Sequence, residues 1–199
     1  QRRKYGTSIE CKVIRLIVQP ITLHSATDEK GVMTKMAGNR REFNKIVLIG
    51  AGSSEFTCAV LGGLVSSPHF QNCTVGLVDI DEEVLALMDK LTRRLTNRKG
   101  LNIKVESSTD RRDVLPGADA VIVTIAAGGV SAWENDLKIP EKYGIVQPVG
   151  DTVGPGGLSR ALRHVPIMVE IAQDMEELCP DAWLFNFTNP MSALCRAVT

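Results

Sequence analysis

The sequence predicts an α/β protein built on a doubly wound parallel sheet, and three observations predict it. From residue 45 onward, short β-branched apolar runs alternate with longer helical patterns, the order that builds parallel strands joined by crossover helices. The run Lys45–Gly52 (KIVLIGAG) ends a strand on two glycines just before a helix, a Rossmann-like arrangement. The segment Ala120–Ile125 is apolar apart from Thr124, as expected for a strand covered on both faces.

The first strand is Lys45–Ile49. The helix expected over Glu55–Ser66 is apolar on most sides, with Phe56, Ala59, Val60, Leu61, Leu64 and Val65. A second strand, Thr74–Val78, ends at Asp79. The next helix, about Asp81–Asn97, sets Val84, Leu87, Met88, Leu91 and Leu95 on one stripe, and its acids Asp81, Glu82 and Glu83 lie where the helix dipole favours them. Ile103–Ser107 is the third strand, Asp110–Leu115 a short helical connector and Pro116-Gly117 a turn. After the fourth strand, Ala120–Ile125, the chain is read as a loop in which Trp133 and Tyr143 either form a lid or simply pack. Helix is expected over Gly156–Leu178, restarted or kinked by Pro166. A fifth strand, Trp183–Phe187, precedes a last helix from Ser192.

A chain of 199 residues suits one domain, or one domain and a tail. Net charge is zero, but residues 1–45 hold ten Lys or Arg against four Asp or Glu. The remainder is therefore acidic, which argues against nucleic acid as a partner. No apolar run reaches the length of a membrane span. The five cysteines, Cys11, Cys58, Cys73, Cys179 and Cys195, show no C-x-x-C spacing and read as small buried thiols of a cytoplasmic protein. Residues 1–40 read as a disordered or upstream-translated leader, since Arg15 interrupts the only apolar patch there, Val13–Val18. Residues 41–199 form the folded domain. The uncapped helix at Thr199 reads as a cut through a longer protein.

Four constellations carry chemistry. Gly50 permits a tight turn, and Gly52 lets a phosphate reach the main chain, with Ser53 opening the helix whose positive end faces it. Glu55 replaces the third glycine of Gly-x-Gly-x-x-Gly, so an ordinary strand-to-helix turn would read similarly. Asp79, 29 residues after Gly50, either accepts the hydroxyls of an adenosine ribose, selecting NAD over NADP, or caps the next helix. Ala126–Gly129 are small residues at the switch-point edge of the sheet. Gly150–Gly157 (GDTVGPGG) is a loop poor in side chains, and its acid Asp151 stands too far from the helix to be explained by capping. Asn189, held extended by Pro190, suits a sugar hydroxyl or a hydroxy acid, or closes the strand with an Asx turn. His24, His69 and His164 lack metal-ligand spacing and receive no catalytic work.

Six segments together, Ile-Gly-Ala-Gly-Ser at 49–53, Val-Asp-Ile-Asp at 78–81, Ile-Pro-Glu-Lys-Tyr-Gly at 139–144, Gly-Asp-Thr-Val-Gly-Pro-Gly-Gly at 150–157, Ala-Leu-Arg-His-Val-Pro at 161–166 and Asn-Phe-Thr-Asn-Pro-Met at 186–191, resemble glycoside hydrolase family 4. These are NAD- and divalent-metal-dependent α- and β-glycosidases, and the resemblance runs from about Lys45 to Thr199. It implies hydrolysis of O-glycosyl bonds by oxidation, elimination, addition and reduction, an exception to two-carboxylate glycosidases. Gly50, Gly52, Ser53 and Asp79 match the family's NAD site, and Asn189 its substrate-contacting asparagine. Asp151 matches the acid that raises the basicity of a catalytic tyrosine.

That tyrosine, the ligands of the metal (typically manganese) and the rest of the substrate domain are expected beyond Thr199. The fragment alone is therefore expected to be inactive. Trp133 stands where members acting on phosphorylated sugars carry an arginine, which favours an unphosphorylated small-molecule glycoside. The segment Gln147–Val149 is about two residues longer than the usual pattern. A homo-oligomer is expected at full length, with neither nucleic acid nor membrane as partner. The alternative is an NAD-dependent 2-hydroxy-acid dehydrogenase of the lactate/malate type. Such enzymes need arginines after the fourth strand, and residues 126–137 contain none.

Overall fold

Residues 43–199 are described by a computed structural model of the chain; the leader expected over 1–40, with Cys11 and His24, lies outside the described residues. Five strands, β1 (Lys45–Ile49), β2 (Thr74–Val78), β3 (Lys104–Ser108), β4 (Ala120–Val123) and β5 (Trp183–Asn186), form one sheet in the order β3-β2-β1-β4-β5. Every neighbouring pair is parallel, with Leu48 standing between Leu77 of β2 and Ile122 of β4. The chain leaves β1 first toward β2 and later returns to β4 on its other side. The crevice between the two directions is the switch point of the sheet.

Alternation along β1 divides the core into two layers. Val47 and Ile49 pack with Val121, Val123, Met168, Ile171 and Leu194 on one face. Ile46 and Leu48 pack with Leu61, Leu64, Leu77 and Leu85 on the other. The first layer is closed by α5 (Gly154–Leu178), α6 (Met191–Ala197) and the single turn α3 (Arg111–Val114); the second is closed by α1 (Ser54–Ser66) and α2 (Glu82–Arg98). At the entrance to β1, the Asp119 carboxylate accepts the N–H groups of Asn44 and Lys45 at 2.7 and 2.9 Å.

The structure corrects several local expectations. In α2 the buried face is Leu85, Met88, Thr92 and Thr96, whereas Leu87 and Leu91 of the expected stripe are exposed. Threonines can be buried there because their hydroxyls donate to the helix's own carbonyls, Thr92 to Met88 at 2.7 Å and Thr96 to Arg93 at 3.0 Å. Phe56 of α1 is likewise exposed, and Thr57 is buried instead.

The expected loop after β4 is largely helix, α4 (Gly129–Glu141). It starts behind Gly128, at φ +81°, without a side-chain cap, and it carries Pro140 in its last turn. Helix α5 runs through Pro166 as one element. Among the thiols, Cys73 and Cys179 are buried, and burial pushes Cys179 up to about 11. Cys58, however, is exposed, contrary to the expectation of uniformly buried thiols. No described helix is long and apolar enough to cross a membrane.

Candidate functional site

The glycine turn is built for close contact. Gly50 has φ +89°, and a Cβ there would lie 2.7 Å from the Thr124 carbonyl oxygen on β4's exit. Its N–H and that of Ala51 both donate to the Val78 carbonyl, at 2.9 and 3.0 Å. The Gly52 N–H donates to Asp79 Oδ2 at 2.7 Å. These three N–H groups are therefore engaged within the protein. What remains open is the first turn of α1, where Ser53 Oγ accepts the Phe56 N–H and the preceding N–H groups lack intrahelical acceptors.

Asp79 lies on the crevice, with Oδ2 on Gly52 and Oδ1 accepting the Asp81 N–H at 3.0 Å. It does not cap α2; Asp81 does, accepting from Glu83 and Val84. Beside it Ile80 is almost fully exposed.

At the other end of the crevice, the glycine-rich loop meets the exit of β5. Asn189 Nδ2 donates to Asp151 Oδ2 at 2.9 Å, and Thr152 Oγ1 donates to Asp151 Oδ1 at 2.9 Å. Arg160 Nε donates to the Asn189 carbonyl at 3.0 Å. Asp151 is thus tied to the exit of β5 and does not cap α5, whose N-cap is Val153. Gly157 fits because a Cβ would meet the Thr152 carbonyl at 2.5–2.6 Å, so the loop folds directly onto its helix. Gln147 braces it by donating to the Val153 carbonyl at 3.0 Å and accepting from the Gly156 N–H at 3.2 Å. Trp133 donates its indole N–H to the Val149 carbonyl, 2.7 Å away, and so ties α4 to this loop.

Between the two ends, the segment leaving β4 is pinned from several directions. Thr188 Oγ1 accepts the Ile125 N–H at 3.0 Å. His164, assigned no work from sequence, is fully buried, and its Nε2 accepts the Ala127 N–H at 3.0 Å. Burial holds its imidazole below the usual histidine range against the opposing hydrogen bond to the Arg160 carbonyl, and the charges of Arg160 and Arg163 add to the lowering. Arg163 forks onto Asp136 of α4 at 2.9 and 2.5 Å, which holds the buried Asp136 carboxyl below the usual carboxylate range. The residues that hold this segment and were not singled out from sequence are thus Asp136, Arg163 and His164. Glu134 and Lys138, paired at 2.8 Å across i,i+4 on α4, were the available signal for the helix that presents Asp136.

All six sequence-chosen residues line one cleft of about 1130 Å³: Gly50, Gly52, Ser53, Asp79, Asp151 and Asn189. Its floor is the carboxyl edge of β2, β1, β4 and β5, and the cations lining it are Arg111 and Arg160. Arg111 is spent on Asp174 at 2.5 Å. Among the described residues, no group of three His, Cys, Asp or Glu side chains is placed to hold a metal.

A parallel sheet with helices on both faces and an open cleft across its carboxyl edge defines a Rossmann-like domain. Residues 45–199 match family 4 glycosyl hydrolase, and the chain belongs to that family. It is 41% identical over 155 residues to an α-glucosidase of Erwinia rhapontici, covering 77% of this chain and 34% of the relative. Of solved structures, lplD of Bacillus subtilis superposes with a TM-score of 0.72 at 36% identity, over 77% of this chain and 35% of the other. The 6-phospho-β-glucosidase of Thermotoga maritima, solved with manganese, NAD+ and glucose-6-phosphate, superposes with a TM-score of 0.66 at 34% identity, over 73% and 34%. The chain therefore spans about a third of the length of the relatives it matches.

Proposed function

We propose that this chain is the dinucleotide-binding part of a glycosidase that cleaves O-glycosyl bonds by a transient oxidation of the sugar. The observation that carries the reading is Asp79, poised over the Gly50–Gly52 turn at one end of a cleft whose other end is the Asp151–Asn189 pair. NAD, when bound, would accept a hydride from the sugar and later return it. Family membership, and the NAD+ and manganese in the Thermotoga relative, support that chemistry.

The chain's own residues divide the labour by their place along the cleft. The Asp79 carboxylate accepts ribose hydroxyls and repels a 2′-phosphate, with exposed Ile80 offering an apolar flank for the base. Ser53 and the first turn of α1 face the diphosphate. Asn189 presents an amide to the glycoside. Asp151, anchored by Asn189 and Thr152, holds negative charge beside the reacting sugar and raises the basicity of a neighbouring base. The divalent metal of the whole enzyme is assigned to no residue of 43–199.

The sugar itself is read as unphosphorylated. No arginine occurs between Arg112 and Arg160, and the Trp133 N–H is committed to Val149. The free thiols Cys58, Cys73, Cys179 and Cys195 suit a reducing, cytoplasmic setting, and the full-length protein is read as a homo-oligomer.

The full gene product carrying this chain should hydrolyse nitrophenyl glycosides only with NAD+ and Mn2+ supplied, and should prefer them to their 6-phosphates. Reduction of pyruvate or oxaloacetate without glycoside cleavage would instead establish a 2-hydroxy-acid dehydrogenase.

A further inference from the structure

Both backbone groups of Ala127 are held by consecutive residues of one helix. Its N–H donates to His164 Nε2 at 3.0 Å, and its carbonyl accepts from Arg163 Nε at 3.4 Å. His164 Nδ1 lies 2.8 Å from the Arg160 carbonyl. An acceptor opposite Nδ1 places the ring proton there and leaves the lone pair on Nε2. That is the tautomer the Ala127 N–H requires. Arg163 is immobilised in turn by its two-pronged pair with Asp136, whose side chain is 2% exposed, and by Ser159 at 3.0 Å.

The clamp acts just beyond the end of the β-ladder. The β-ladder ends at Val123, and Gly128 and Gly129 both have positive φ, +81° and +59°. Just before those glycines, Ala126 and Ala127 carry only a methyl group each, so a ligand ring lying there would touch main chain directly. A small shift of that main chain changes the contact.

We propose, resting on the dinucleotide reading above, that His164 and Arg163 are positioning residues that fix Ala127 for the nicotinamide half of the bound dinucleotide. The sheet order makes the effect one-sided. With adenosine held at Asp79 on β2 and the diphosphate at β1, the second nucleoside lies over β4 and β5. ADP occupies only the β2–β1 half and does not reach Ala127.

Calorimetric titration of the 199-residue chain with NAD+ and, separately, with ADP tests this. His164→Phe keeps a ring but leaves the Ala127 N–H without its acceptor; it should weaken NAD+ by about tenfold and change ADP by less than about twofold. His164→Gln, which can place an amide oxygen near the Nε2 position, should recover most of the NAD+ affinity. Asp136→Asn, which loosens the Arg163 fork without reshaping it, should weaken NAD+ by about threefold with ADP again unmoved.

Unchanged NAD+ affinity in His164→Phe, or equal losses for NAD+ and ADP, overturns the positioning role. If His164→Phe does not fold, an unchanged NAD+/ADP affinity ratio in Asp136→Asn overturns it. An unsubstituted chain that binds neither ligand overturns the dinucleotide reading itself, and this inference with it.

Discussion

The Asp79 carboxylate takes the Gly52 N–H at 2.7 Å, and the Asp81 N–H at 3.0 Å through its second oxygen. One side chain thus sets the glycine turn after β1 against the turn after β2, and the same oxygens face the cleft. Asp79→Ala should weaken NAD+ by about ten- to hundredfold, since hydrogen bonds to charged groups contribute about 1.5–3 kcal/mol each. The unsubstituted chain should also bind NADP+ far more weakly than NAD+, and the variant should narrow that gap. Titration with both dinucleotides checks this. Equal affinities for NAD+ and NADP+ in the unsubstituted chain would remove the ribose role from Asp79.

Gly52 is required by Asp79 as well as by any ligand. A Cβ at position 52 would sit 2.7 Å from Asp79 Oδ2 and 2.9 Å from Val84 Cγ1. Gly52→Ala should therefore displace the carboxylate, and NAD+ affinity should fall with it, although the backbone at 52 is not left-handed. Gly50→Ala meets a backbone wall at Thr124 while holding φ +89°. Strain of about 1–3 kcal/mol predicts a Tm lowered by about 3–10 °C for a domain of this size. Thermal melts of the two variants should rank Gly50→Ala as the less stable, and the reverse order would contradict the backbone-wall account.

Much of this architecture is written locally in the chain. The bounds of β1 and β2 follow from Lys45–Ile49 and Thr74–Val78 as read, because each apolar run ends on a residue that stops it, Gly50 or Asp79. The cleft was legible for a similar reason. Gly50, Gly52, Asp79 and Asn189 sit just past the carboxyl ends of strands, which the parallel topology brings together, and Asp151 joins them from the loop between α4 and α5.

What could not be read depends on burial across sequence distance. Helix α4 begins on two glycines and contains Pro140, which point to coil and outweigh the single Glu134–Lys138 helix signal, and the helix packs against α5. His164 shows no spacing to any ligand partner in sequence; its partner is a main-chain N–H 37 residues away. The misplaced stripe of α2 has a local cause instead: Thr92 and Thr96 satisfy their hydroxyls on carbonyls of their own helix and can be buried like leucine.

The contact of Asn189 with Asp151, at 2.9 Å between an amide donor and a carboxylate, makes a second substitution informative through its pH dependence. Asn189→Asp sets two carboxylates at hydrogen-bond distance. Like charges so close raise the proton affinity of one of them above its unfolded value. A raised carboxylate stabilises the fold only while protonated, so the variant should approach the unsubstituted Tm near pH 4 and fall below it as pH rises toward 7. Melting both proteins across that range checks the sign, and a gap that widens toward acid would show that the two side chains do not meet.

His164 gives the chain an acid sensitivity of its own. Burial lowers its folded pKa from the usual 6.5, whereas in the unfolded chain the imidazole is free to titrate normally. Below about pH 6.5 the unfolded state therefore takes up a proton that the folded state refuses, and stability falls as pH drops. The slope attributable to this group is at most about 1.4 kcal/mol per pH unit, one proton's worth. The buried Asp136 carboxyl, lowered from 3.8 by its fork with Arg163, loses its contribution only at lower pH, so the two effects occupy separate windows. The groups facing the ring are Arg160 and Arg163 on its own helix and the Ile125 and Ala127 main chain opposite. Urea unfolding from pH 7.5 to 5 should show the unsubstituted chain losing stability faster than His164→Gln, in which nothing titrates at that site. Parallel curves would mean that the ring protonates in place, with Nε2 turning from the Ala127 N–H to the Ile125 carbonyl.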